Sequence, residues 1–269
     1  MEQRDWNELP THCLIEILGK VGIESLVGTI PFVCKSWYNA TFYPQCWQRL
    51  VFTKSPHLRS SKFSIPILRL RKDSRFDMLP YESIDEANDS LEKLVHFAIG
   101  RSHGLVTEVV FHPRLHLKEG QIMWIAQRCP SLKLLVLPSH LSYVINFEVS
   151  DSICNWKGLE GLQVASLIGL KKSIININKN CRNFNHLCVY VPRLDGDVAS
   201  VIASQLPDIK TLDLRFSTVE RDDLVAILKG CRKLEYLDVS ECKGVACDNE
   251  ILKLAGHIRI FKHEGSCVS

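Results

Sequence analysis

Apolar residues recur along most of this 269-residue chain in a form that can be written L-x-x-L-x-L. The copies are Val106-Val109-Phe111, Leu132-Leu135-Leu137, Leu159-Leu162-Val164, Phe184-Leu187-Val189, Ile209-Leu212-Leu214 and Leu234-Leu237-Val239, with a weaker one at Ile258-Phe261. Their first positions lie 26, 27, 25, 25, 25 and 24 residues apart. A further copy reads at Ile65-Leu68-Leu70, separated from the rest by an insertion at about residues 73–90. Alternation with a period of two predicts a short strand in each copy, its leucines inward and the residues between them outward.

Between the strands the period changes to that of a helix. Leu224, Ile227, Leu228 and Cys231 fall at i, i+3, i+4 and i+7, as do Ile122, Ile125, Ala126 and Cys129. Ile174, Ile177 and Cys181 mark another helical stripe, and Val198, Val201 and Ile202 a further one. Neither a lone strand nor a lone one-sided helix buries its apolar face, so the units must stack on one another.

The first fifty residues break this rhythm. Leu14, Ile17, Leu18 and Val21 follow helical spacing behind Pro10; a second stretch holds Val33, Trp37 and Ala40, and a third turn holds Trp47 and Leu50. Three short helices in so few residues make a marginal core, which needs a partner or the following array to cover it.

Composition narrows the class. With 46% hydrophobic residues the chain has ample material for a core, and 33 Lys+Arg against 30 Asp+Glu leave a net charge of only +3. That near balance points away from nucleic acid and from membrane surfaces. The first ten residues carry no apolar signal segment, and the longest uncharged stretch, near residues 134–147, is too short and polar to span a bilayer. Eleven cysteines, an odd number with no C-x-x-C pair, suit a reducing compartment, cytoplasmic or nuclear.

The segments LPTHCLIEILGKV and VCKSWYNATFYPQCWQRL together resemble an F-box, on the strength of Leu9-Pro10, Ile17-Leu18, Leu26, Val33-Cys34-Lys35, Trp37 and Trp47. CPSLKLLVL, CRNFNHLCV and CRKLEYLDVSEC resemble the cysteine-containing leucine-rich repeats. The combination is similar to plant F-box/LRR-repeat proteins. That resemblance implies an α/β chain with an all-α, three-helix F-box at 5–52 and an arc-shaped solenoid of about seven or eight repeats at 53–269. It also implies a substrate receptor of an SCF-type ubiquitin ligase, whose F-box binds the Skp adaptor and through it a cullin, while the repeats bind an unknown target protein. Leu9, Pro10, Leu14, Leu18, Leu26, Val33, Cys34, Trp37 and Trp47 would belong to the adaptor-binding module. No catalytic residue, cofactor or metal is implied, because such a subunit acts by positioning its target. A repeat scaffold that binds a protein without ligase output shares the same surface.

Other chemistry is weaker in the residues. Cys129, Cys181 and Cys231 sit at one helical phase in different units, as small buried hydrophobes rather than clustered zinc ligands. His112 and His116 have an H-x₃-H spacing interrupted by Pro113 and no cysteine pair beside them. Gly100-Arg101-Ser102-His103-Gly104 matches G-x-S-x-G, yet a nucleophile elbow follows a strand and precedes a helix, whereas here a helix comes first and a strand second. The basic run Arg69, Arg71, Lys72, Arg75 is short and interrupted, and reads as a solvated strand edge.

Recognition is expected on the outward strand positions, which pave the concave face of a repeat array. Their early rows are small or apolar (Val110, Leu134, Val136, Gly161, Ala165). The later rows supply His186, Tyr190, Asp213, Arg215, Tyr236 and Asp238, aromatics mixed with charges as in a protein-binding hot spot. These six are the candidate target-binding residues.

Overall fold

The computed structural model describes residues 9–52, 82–113, 115–139, 141–245 and 248–266, with side chains in the first helix of the array from residue 92 onward and none for Tyr143. The copy at Ile65-Leu68-Leu70 and the basic run at 69–75 lie outside the described residues.

Three α-helices open the fold: α1 (Thr11–Leu18), α2 (Ile23–Gly28) and α3 (Lys35–Ala40), with 3-10 turns at Ile30–Phe32 and Pro44–Trp47. Pro10 precedes the first turn of α1, where its missing N–H costs nothing. Two details differ from the sequence reading. Leu26 sits on a helix of its own, and the third helical stretch is instead the 3-10 turn ending at Trp47, followed by strand β1 (Arg49–Val51).

Strand β1 opens an eight-stranded parallel sheet. It is followed by α4 (Glu82–Ser102), β2 (Glu108–Val110), α5 (Gln121–Arg128), β3 (Leu134–Val136), α6 (Tyr143–Ser152), β4 (Gly161–Val164), α7 (Leu170–Asn180) and β5 (His186–Val189). Then come α8 (Gly196–Gln205), β6 (Thr211–Asp213), α9 (Arg221–Gly230), β7 (Tyr236–Asp238), α10 (Asn249–Leu254) and β8 (Ile260–Lys262). Every strand pairs with its neighbour in sequence, in the order β1 to β8. Helix α4 occupies part of the span expected as an insertion, from residue 82 onward.

The register is that of the repeat. Leu50, Val109, Leu135, Leu162, Leu187, Leu212, Leu237 and Phe261 form one in-register row across the sheet. All but Phe261 are fully buried, and they pack with the helical stripes in one core that also takes in Leu14, Leu18 and Leu26 of the first helices. The first strand is a copy of the motif too. Trp47, Leu50 and Phe52 repeat the spacing of Val106, Val109 and Phe111, and Phe52 stacks on Phe111 with ring centroids 6.0 Å apart. The boundary expected at residue 52 therefore falls after the first strand of the sheet.

Local chemistry closes each unit. Ser142, Asp195 and Asp248 cap the N-termini of α6, α8 and α10 by accepting backbone N–H bonds. At the other end, Cys129, Cys181 and Cys231 are the residues that terminate α5, α7 and α9, each donating its N–H to the carbonyl four residues back at 2.8 Å. Burial pushes the Cys129 and Cys231 thiols up to about 12 and that of Cys181 to about 11, so they remain neutral packing groups. Among the described residues no helix is long and apolar enough to cross a membrane.

Candidate functional site

Two surfaces present groups that a partner could use, one on the first helices and one on the sheet. On the first, the nine candidate residues separate into two sets. Leu14, Leu18, Leu26 and Trp47 are buried and form the module's own core, with the Trp47 Nε1 donating to the Thr41 carbonyl at 2.7 Å. Enclosed in this way, they offer no contact surface. Leu9, Cys34 and Trp37 are half-buried, while Pro10 and Val33 are exposed.

Around them lies an apolar surface that periodicity alone did not single out. Phe32 is 81% exposed and Val33 52%, and Ile17, Val27, Tyr38, Phe42 and Tyr43 are also exposed. So many large apolar side chains within some thirty residues exceed the scattered exposure normal on a soluble surface. The signal available in the sequence was Pro31 between Ile30 and Phe32, which holds the 3-10 turn and swings Phe32 outward while Ile30 points in.

The sheet surface keeps the expected alternation of side-chain direction but not the expected exposure. Val51, Val110, Val136, Gln163, Cys188, Asp213, Asp238 and Lys262 form an in-register row on the face opposite the leucines. Its middle members, from Val110 to Asp238, are buried rather than exposed. Parallel strands lie about 4.8 Å apart, so each side chain is walled in by its equivalents on both neighbouring strands. Val110, Val136 and Cys188 are buried without joining the main core, which places them on this second face.

Of the six candidate target-binding residues, His186, Asp213 and Asp238 are therefore buried, while Tyr190, Arg215 and Tyr236 are intermediate. The structure brings five of them into one hydrogen-bonded group. The Arg215 guanidinium donates to Asp213 at 2.7–3.1 Å and lies 3.5 Å from an Asp238 oxygen. Tyr190 donates its hydroxyl to Asp213 at 2.8 Å, and Tyr236 donates to Asp238 at 2.7 Å. Ser240 completes the Asp238 shell through its backbone N–H at 3.0 Å and its hydroxyl. Burial, then the carboxylates beside them, push both tyrosine hydroxyls well above their ordinary range. His186 stands apart from the ion pairs, its Nε2 3.1 Å from the Cys188 sulfur, and burial lowers it to about 4.

What projects from this group is Phe216, which the repeat pattern did not mark. It is 52% exposed, has φ 63°, and lies 6.0 Å from the Arg215 guanidinium. An aromatic side chain rarely takes a left-handed backbone; here its N–H donates to the Ser240 carbonyl at 3.3 Å.

The remaining motifs resolve simply. Ser102 of the G-x-S-x-G match is fully buried at the end of α4 and donates its hydroxyl to the Ile99 carbonyl at 2.7 Å. Among the described residues no three His, Cys, Asp or Glu side chains converge on a point that could hold a metal ion.

Residues 6–49 match the F-box domain family. Over 238 residues the chain is 30% identical to the F-box/LRR-repeat protein At3g48880 of Arabidopsis thaliana, covering 88% of this chain and 72% of that one. It is 26% identical to the F-box protein FBW2 of the same plant, over 94% of this chain and 73% of the relative. The F-box protein SKIP1 is 23% identical, over 88% and 79%.

Proposed function

Because this chain belongs to the plant F-box/LRR-repeat family, we propose that it is the substrate-recognition subunit of an SCF-type ubiquitin ligase. In this reading the F-box docks on the Skp adaptor, and through it on a cullin, and the repeats, stacked as an open arc, hold a target protein for ubiquitination. The chain supplies no reacting group. It raises the concentration of target near the charged conjugating enzyme and fixes its orientation.

The observation that carries the reading is the set of uncovered apolar residues Ile17, Val27, Phe32, Val33 and Tyr38 on a module whose inward side chains are already buried. Burying such a set against a partner helix gains roughly 25 cal/mol per Å² removed from water. Leu9, Pro10, Cys34 and Trp37 border it, whereas Leu14, Leu18, Leu26 and Trp47 hold the helices that carry it. On the sheet, target contacts come from Tyr190, Arg215, Tyr236 and Phe216. Asp213 and Asp238 set the positions of Tyr190, Arg215 and Tyr236, and His186 lies buried beside Cys188.

The test is co-purification of the full chain with a purified plant Skp adaptor. Wild type should form a one-to-one complex, and Val33→Asp combined with Pro10→Ala should lose it while melting like wild type. A wild-type chain that captures a target protein but no adaptor would overturn the ligase reading and leave a binding scaffold.

A further inference from the structure

Helix α4 is the first helix of the array, and its two flanks meet different neighbours. On one, the His96 ring lies tilted against Trp124 of α5 with centroids 4.1 Å apart. On the other, Phe97 meets Trp47 edge-on at 5.5 Å. One turn further along that flank, the Arg101 guanidinium lies 5.1 Å from the Phe97 ring and 4.3 Å from the ring of Phe42, which follows α3. Tyr38 of α3 then contacts Phe42 edge-on at 5.0 Å.

This is a continuous path from the F-box to the array, and its aromatic members stay open to solvent. Tyr38, Phe42 and Phe97 are 48%, 43% and 44% exposed. Arg101 itself makes no ion pair or hydrogen bond among the described residues; its partners are the two rings. A guanidinium laid on aromatic faces is held in place with its charge unneutralised and its N–H donors unspent.

We propose that the adaptor's contact surface does not stop at the F-box but crosses onto α4, where Phe97 packs under the adaptor and Arg101 receives one of its carboxylates. The inference rests on the reading that an adaptor docks on the F-box. Two features select this occupant: the path begins at Tyr38 of α3, on the module that the adaptor would meet, and at its middle stands a cation with no ion pair among the described residues, which a carboxylate complements in a bidentate fork. One partner touching both α3 and α4 would clamp the seam between module and array, fixing the angle at which the sheet faces the rest of the ligase.

The test measures adaptor binding by titration calorimetry, using the full chain and a purified plant Skp adaptor. Arg101→Glu should weaken binding at least tenfold, and Phe97→Ser several-fold. Arg101→Gln, which keeps the side-chain stem, should flatten the salt dependence of affinity. Because these changes could disturb the seam, arginine-specific labelling of wild type provides a readout without a variant: Arg101 should be protected when the adaptor is bound. If wild type binds the adaptor while Arg101 stays equally reactive and Arg101→Glu binds as tightly, the extension is overturned and F-box docking stands. If Arg101→Glu abolishes a dimer of this chain and leaves adaptor affinity unchanged, the surface serves a second copy and the extension is again overturned. A wild-type chain with no adaptor affinity would overturn both readings.

Discussion

Asp213 and Asp238 face each other in register on adjacent strands, both almost completely buried, and share the single guanidinium of Arg215. Two carboxylates against one cation leave a buried negative charge, which is held by the Tyr190, Tyr236 and Ser240 donors as well as by the arginine. Removing one member of such a group exposes the rest to an uncompensated desolvation penalty. Arg215→Met, which keeps much of the volume, should therefore cost about 3–5 kcal/mol in urea unfolding. A loss below about 1 kcal/mol, the range of an exposed pair, would show that the group is hydrated instead.

The same pair marks the limit of what the repeat pattern encodes. The motif intervals locate β2 to β8, because an aliphatic residue at the fourth motif position is buried in every unit but the last. The cysteines at 129, 181 and 231 mark helix ends because one packing environment repeats. Alternation gives the direction of a side chain, however, and not what its neighbours do to it. Asp213 points away from the core as expected and is buried all the same, walled in by Cys188 and Asp238. Strand β1 does not show in the period although Trp47-Leu50-Phe52 carries the motif, since Val106 lies 59 positions beyond Trp47 and the gap hides the repeat. The stripe Leu14-Ile17-Leu18-Val21 reads as one helical face, yet α1 ends at Leu18 and only Leu14 and Leu18 turn fully inward. An eight-residue helix with apolar groups on both sides offers no periodicity that separates core from docking surface.

His186 gives the sheet surface a pH dependence. Its folded value of about 4 lies below the ordinary 6.5, so above pH 6.5 both folded and unfolded chains are neutral there and it contributes nothing. As pH falls below 6.5 the unfolded chain takes up the proton first and stability drops, until the folded form also protonates near pH 4. A fall from 6.5 to about 4 corresponds to roughly 3 kcal/mol across that window. Denaturation midpoints measured from pH 7 to 4 should show this decline, and His186→Gln should remove that part of it. Parallel curves for the two chains would refute the assignment.

Two glycines should respond differently to a methyl group. A Cβ on Gly230, at the end of α9, would run into the backbone carbonyl of Ala203 on α8, which cannot move without the helix. One on Gly161 would meet a terminal methyl of Leu134 at 2.8 Å, which can swing aside. Gly230→Ala should therefore cost about 1–3 kcal/mol, the usual penalty of overpacking, and Gly161→Ala should stay under about 1 kcal/mol. Thermal melts of the two variants side by side decide it, and equal losses would mean that α8 and α9 separate more readily than their packing suggests.

On the F-box, burial predicts which substitutions separate folding from docking. Leu18 is wholly enclosed, so Leu18→Ala should cost roughly 2–5 kcal/mol and weaken adaptor capture only by depleting folded chain. Phe32, four-fifths exposed on its 3-10 turn, contributes little to the fold, and Phe32→Ser should move stability by less than about 0.5 kcal/mol. Its effect on the adaptor should be the reverse: truncating a large aromatic anchor at the centre of an interface commonly costs 2 kcal/mol or more, about thirtyfold in affinity. Melting temperature and adaptor affinity, measured on the same preparations, should thus move in opposite orders for the two variants. If Phe32→Ser binds as tightly as wild type, the exposed apolar set is not where the adaptor sits, and the contact must be sought on the Pro10 end of α1 instead.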